Sequence, residues 1–163
     1  MHFQLKNHVP YLVARVFALG SEAVAPVLRE FDITLPMWRV LAALYDYGEQ
    51  TAGELLVATS LEQSTLSRTI SALSRRGFVS RKASRGNKRT ITVGLLARGR
   101  TLSEQLLPHM VDAHRTLVAG VDPARLEIFL DVIDQLYENA SRATNTPTAR
   151  MRSRVRKPLP IEA

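Results

Sequence analysis

Between residues 3 and 19 the apolar side chains fall at Leu5, Val9, Leu12, Val13 and Val16, a spacing that lines one side of an α-helix. Pro10 lies inside this stretch and deletes one backbone hydrogen bond, so the pattern predicts a break or kink over residues 7–9. Ser21 to Phe31 reads as a second, short helix with Ser21 as its N-cap and Pro26 as an interruption. Residues 35–47, LPMWRVLAALYDY, put Pro36 in a first helical turn and Trp38, Leu41, Ala42 and Tyr45 on one stripe, and Gly48 ends the helix. Thr51 and Glu54 have the T-x-x-E spacing of a capping box, which starts a helix running to about Ala58.

The next segment, 62–76, is sorted by side. At 100° per residue Leu66, Ile70 and Leu73 share a narrow arc, whereas Ser64, Ser67, Arg68, Ser71 and Arg75 gather opposite. Serines at 64, 67, 71 and 74 are poorly explained by helix propensity. Short hydroxyls and long guanidinium groups do suit a helix that must approach base edges and phosphates. Gly77 closes it. Residues 78–82 and 90–93 then alternate with period two around the turn residues SRGN, which predicts a hairpin. Residues 94–99 lead into a long helix to about Ala119, bent near Pro108. Asp122 and Pro123 cap a last helix striped by Leu126, Phe129, Leu130, Ile133 and Tyr137. The fold class is therefore mainly α with a small β-wing: helix, turn, helix, then a basic hairpin, flanked by helices at both ends.

Charge sharpens that picture. Residues 60–100 carry ten basic side chains against one acid, Glu62, while the whole 163-residue chain nets only +7. The excess covers a helix and the adjoining hairpin, which is the footprint of a polyanion partner, double-stranded DNA. Residues 101–141 hold two basic and seven acidic side chains and face away from it. Residues 142–163 bring six more cations among Thr, Pro and Ser without periodicity, and read as a basic, disordered tail.

At 45% hydrophobic content the chain has enough apolar material for one compact domain. It has no cysteine, which removes disulfides, thiolate metal sites and thiol redox sensing. No export signal is visible and no segment reads as a membrane span, so the expectation is a cytoplasmic protein without a membrane partner.

The segment LSRTISALSRRGFVSRKASRGNKRTITVGLLARG resembles the recognition helix and wing of the MarR family of bacterial transcriptional regulators. The likeness runs through Gly77, Val79 and Arg81, a six-residue loop ending at Asn87, the basic pair Lys88 and Arg89, and the strand leading to Leu95 and Gly99. Asn87 stands where the family has aspartate, and Leu96 where it usually has threonine. The resemblance implies a homodimer, with residues 1–34 and 96–141 as the helical dimerisation region and 35–95 as the winged helix-turn-helix. Such a dimer sets two recognition helices in successive major grooves of a pseudo-palindromic operator and two wings in flanking minor grooves. The base-reading candidates are then Gln63, Ser64, Thr65, Ser67, Arg68, Ser71 and Arg75, and the wing candidates Arg81, Arg85, Asn87, Lys88 and Arg89. Family members usually repress, and many release DNA when a small aromatic or lipophilic anion fills a cleft between the dimerisation helices and the winged domain. In this chain His8, Tyr11, Arg15 and Trp38 are the candidate lining: Arg15 supplies an anion partner and the rings supply wall. Trp38 lies upstream of the basic region and reads as core or pocket wall.

Other chemistries fare worse. His109 and His114 lie five residues apart, which turns their imidazoles about 140° from each other on a helix, so no metal or other cofactor is expected. The eight glycines are scattered, and no nucleophile and base fall at a catalytic spacing, so no catalytic residues are expected and the chain does not read as an enzyme. The competing reading is an architectural or accessory winged-helix DNA-binding protein with no effector site.

Overall fold

A computed structural model of the chain describes residues 4–84 and 87–144, with side chains left undescribed at 84 and 87–90. Six helices and three short strands follow in the order α1 (Val9–Glu30), α2 (Leu35–Tyr47), β1 (Gln50–Thr51), α3 (Ala52–Thr59), α4 (Gln63–Arg75), β2 (Val79–Ser84), β3 (Asn87–Leu95), α5 (Ala97–Val118) and α6 (Pro123–Thr144). A 3-10 turn at Leu5–Asn7 precedes them.

The proline arithmetic holds at one end of α1 and fails at the other. Pro10 sits in the first turn, where its missing N–H costs nothing, and His8 just before it is extended; the break falls at residues 7–9 as the sequence predicts. The second break does not occur. α1 runs 22 residues through Gly20, Ser21 and Pro26. Ser21 is no N-cap, because its hydroxyl donates to the Phe17 carbonyl one turn back. Pro26 is carried because its neighbours Val24, Val27 and Leu28 pack on the core, and tertiary burial outweighs a local propensity penalty. Joining the two halves corrects one narrower reading, that no segment has the length of a membrane span: by length and composition alone α1 is long and apolar enough to cross one. Only its C-terminal end is anchored in this chain, where Leu28 is its single fully buried residue.

In α2 the buried row is Val40, Leu41, Ala43 and Leu44, rotated from the predicted stripe, so that Trp38, Ala42 and Tyr45 are only half-buried. Thr34 caps the helix by accepting from the Met37 N–H, and Gly48 takes the positive φ of 77° needed at its end. The Thr51 to Glu54 capping box forms in full: the Glu54 N–H donates to Thr51 Oγ1 at 3.2 Å, and the Thr51 N–H donates back to Glu54 Oε2 at 2.7 Å. Those backbone and hydroxyl donors hold the Glu54 carboxyl below its ordinary pKa.

β1 is absent from the sequence reading, since two residues show no alternation. Gln50 and Thr51 pair antiparallel with Val93 and Thr92 and extend the hairpin to three strands in the order β1-β3-β2. In the hairpin Val79 faces Leu95 and Lys82 faces Thr92, and the register shifts between Ala83 and Ser84. Leu66, Ile70 and Leu73 of α4 join Val40, Leu41 and Leu44 of α2, Leu55 of α3, Phe78 just before the sheet, Val79 and Val93 within it, and Leu102 and Leu106 of α5 in one core.

Leu96, the N-cap of α5, offers no side-chain cap. A backbone joint replaces it: the Leu96 N–H donates to the Phe78 carbonyl at 3.0 Å, and Gly99 passes so near that a Cβ there would lie 2.1 Å from the same oxygen. α5 is continuous through Pro108. α6 is capped by Asp122, which accepts from the Arg125 N–H at 3.0 Å. It extends three residues past the predicted end at 141, to Thr144, and the rest of the basic tail lies outside the described residues.

Two expectations follow. Gly99→Ala gains about 1 kcal/mol of helix propensity but forces carbonyl backbone aside, so a net loss of about 1–3 kcal/mol is expected in urea titration. For Glu54→Gln, the advantage of the native carboxylate should be fully present above its unfolded pKa, near 4.5, because the folded value is lowered. It should shrink as pH falls through the lower folded value, and paired melts from pH 7 to 3 would trace this.

Candidate nucleic-acid interface

α4 presents its two sides unequally because one of them is used up in packing. Leu66, Thr69, Ile70 and Leu73 are buried, and their spacing forces the residues between them outward. Gln63, Ser64, Ser67, Arg68 and Arg75 are exposed, whereas Thr65 and Ser71 are half-buried, nearer the edge of the helix than its crest. Residues 64, 67, 68, 71 and 75 form a single stripe with one-turn spacing. Glu62, the N-cap, makes no side-chain cap bond, so no carboxylate occupies the first-turn N–H groups. The helix thus leads with a positive end and a short polar face, which is the shape a major groove admits.

The wing follows within a few residues of the end of α4. Arg81 and Lys82 of β2 are exposed, and Thr92 Oγ1 donates across the hairpin to the Lys82 carbonyl at 3.3 Å. Asn87, Lys88 and Arg89 belong to β3 by their backbone, with Asn87 opposite Ser84; their side chains, and Arg85 altogether, lie outside the described residues.

Not all of the basic excess is available to a polyanion. Arg76, the C-cap of α4, is turned back to the α1–α2 turn, where it pairs with Asp32 at 3.2 Å. Arg76 and Arg98 both lie over Phe78, 5.0 and 5.1 Å from its ring centroid. Arg100 lies 5.6 Å over Tyr45. The sequence count therefore overstates the footprint by the share these three spend on their own chain.

The four candidate effector residues fall into two groups. His8 is the exposed N-cap of α1, and Tyr11 and Arg15 sit one turn apart with the guanidinium 5.7 Å from the ring. Trp38 lies on α2 against the core cluster. Between them runs a residue that sequence reasoning passed over: Arg39 lies 4.8 Å over the Phe17 ring of α1 and donates to the Thr59 carbonyl at 3.2 Å. An arginine inside the apolar run MWRVLAAL was the available signal, because such a charge needs a partner. His109 packs its ring 6.1 Å from that of Phe31.

Comparison with known proteins agrees with this geometry. The MarR family model matches residues 33–91. A solved structure of a MarR family transcriptional regulator from Silicibacter pomeroyi is 31% identical, with a TM-score of 0.75 over 83% of this chain and 91% of that one. The organic hydroperoxide resistance transcriptional regulator of Bacillus subtilis is 23% identical over 64% of this chain and 71% of its own. BpsR of Bordetella bronchiseptica, whose DNA binding is regulated by 6-hydroxynicotinic acid, shares the fold at 20% identity and a TM-score of 0.75, over 84% of this chain and 98% of its own. A winged helix-turn-helix whose α4 exposes a polar face, matched in sequence and in backbone, makes this chain a member of the MarR family of transcriptional regulators.

Proposed function

We propose that the protein is a homodimeric, sequence-specific repressor that leaves its operator when a small aromatic or lipophilic anion binds. The observation that carries the dimer is the apolar surface left open by a single chain. Val9, Val13, Val16, Phe17 and Leu19 on α1, and Ile128, Phe129, Leu130, Val132, Leu136 and Tyr137 on α6, are each more than a third exposed. A helix apolar on most sides belongs inside a larger body, and two such helices at the chain ends supply matching halves of one interface. Arg15 and Glu22 break the apolar length of α1, which favours a second copy of the chain over lipid as its cover.

In this reading the helical ends, 1–34 and 96–141, hold the dimer and 35–95 reads DNA. Ser64, Ser67, Arg68 and Arg75 meet the major groove, with Gln63, Thr65 and Ser71 at the margins. Arg81, Arg85, Asn87, Lys88 and Arg89 follow the minor groove and its phosphates. The effector reading draws on BpsR, whose regulator is an aromatic acid, and on the cation and ring that Arg15 and Tyr11 bring together on α1. Without a cysteine, any response to an oxidant would have to bypass thiol chemistry.

Replacing Lys88 and Arg89 by Ala removes four cations from a dimer and should flatten the slope of log K against log salt by about 3 to 4 units, at about 0.9 per phosphate contact. Affinity should fall for operator and random DNA alike. Arg68→Ala should instead erode the difference between them, by about 1–3 kcal/mol at the affected base pair. An unchanged salt slope in the wing variant would remove the wing from DNA.

Hydroxylated aromatic carboxylates should raise the melting temperature of the wild-type protein and release DNA, because a ligand held by the folded state stabilises it. Arg15→Ala should weaken that release about tenfold, the loss of one charge-assisted hydrogen bond. Undiminished release would take Arg15 out of the site.

A further inference from the structure

The recognition helix and the dimerisation helix touch through intermediaries. α4 packs on α2, α3 and β2, while α1 packs on α5 and α2. Two arginines bridge the gap, one near each end of α4.

At the C-terminal end, Arg76 grips Asp32, the residue that turns the chain from α1 into α2. Its Nη1 donates to the Asp32 carbonyl and its Nη2 meets the Asp32 carboxylate at 3.2 Å, while the guanidinium plane rests on Phe78. Asp32 is one of two described non-glycine residues with positive φ, at 53°. Its own N–H donates to the Arg29 carbonyl, and the next N–H, from Ile33, donates to that of Leu28, so the turn is bolted to the end of α1. A solvent-facing ion pair alone would contribute little. Here one planar group holds both the backbone and the side chain of one residue, which constrains direction as well as distance.

Near the N-terminal end, Arg39 performs the equivalent task. It donates to the carbonyl of Thr59, the last residue of α3, just ahead of the turn into α4, and its guanidinium lies 4.8 Å over the Phe17 ring of α1. The last carbonyls of a helix lack intrahelical donors and attract a cation. Neither arginine belongs to the stripe at 64, 67, 68, 71 and 75.

We propose that Arg39 and Arg76 are positioning residues that fix the angle of α4 relative to α1, and thereby the spacing of the two DNA half-sites that one dimer accepts. This rests on the dimeric reading above. Because α1 carries the open apolar face, anything that sets α1 against its copy also sets the separation of the two recognition helices.

Selection from random-sequence duplex DNA tests this and requires no known operator. The wild type should enrich two half-sites at one dominant spacing. Arg76→Ala and Arg39→Ala should enrich the same half-site bases over a broadened set of spacings, and bind the wild-type duplex about 3- to 30-fold more weakly, the range expected for coupling between distant elements. Arg68→Ala should do the reverse, changing bases and keeping the spacing. Asp32→Asn keeps a carbonyl acceptor and a residue tolerant of positive φ on an exposed turn, so it serves as the variant that folds whatever Arg76→Ala does. It should broaden the spacing to a smaller degree. Wild-type spacing and affinity in all three strap variants would overturn the proposal. Enrichment of lone half-sites by the wild type would overturn the dimer reading first and the proposal with it.

Discussion

One-sided burial of α4 is the constraint from which the rest follows. Leu66, Ile70 and Leu73 enter the core between α2 and the sheet, and the helical repeat then sends Ser64, Ser67, Arg68 and Arg75 the other way. The hydrophobic term that holds the domain together also aims its polar stripe. Losing any of those three apolar groups would cost about 2–5 kcal/mol and free the helix to roll. The surrounding parts restrict its remaining freedom: the capping box starts α3, the backbone joint at Phe78 and Gly99 roots α5 beneath the wing, and Arg39 and Arg76 brace it toward α1.

The charge distribution fits the same division of labour. Cations concentrate on α4 and the hairpin, and acids on α6, where Glu127, Asp131, Asp134 and Glu138 stand against Arg125 and Arg142, so a field of one sign points along the face that α4 exposes. Three neighbouring cations, Arg76 at the end of α4 and Arg98 and Arg100 on α5, lie over rings of their own chain, at Phe78 and Tyr45. There they serve as packing material, with apolar stems and a face for the ring quadrupole, as much as electrostatic bait.

Much of this was legible in the sequence where the signal was local. The capping box at Thr51 and Glu54, the stops at Gly48 and Gly77, the Asp122 cap and the two-sided wheel of α4 each depend on residues within one or two turns, and each forms. What escaped depended on contacts remote in sequence. Pro26 reads as a breaker until Val24, Val27 and Leu28 are seen against the core; β1 is two residues long and exists only because β3 lies beside it. The buried row of α2 runs through Val40, Ala43 and Leu44 as well as Leu41, with Trp38 only partly buried, because α2 packs on α4, α3, α5 and β3, all later in the chain. In the candidate interface, periodicity located the stripe on α4 but could not reveal that Arg76 is diverted to Asp32, 44 residues away.

Chemical interference mapping addresses the central claim most directly, because it reports which groove each element enters and how many times. Operator DNA methylated at guanine N7 in the major groove and at adenine N3 in the minor groove would be partitioned into bound and free fractions. Two N7 clusters about 10 base pairs apart, or a multiple of that, with N3 effects on their outer flanks, are predicted for two copies of α4 in successive major grooves and two wings beyond them. A single N7 cluster, or interference confined to the minor groove, would contradict a dimer that reads DNA through the exposed face of α4.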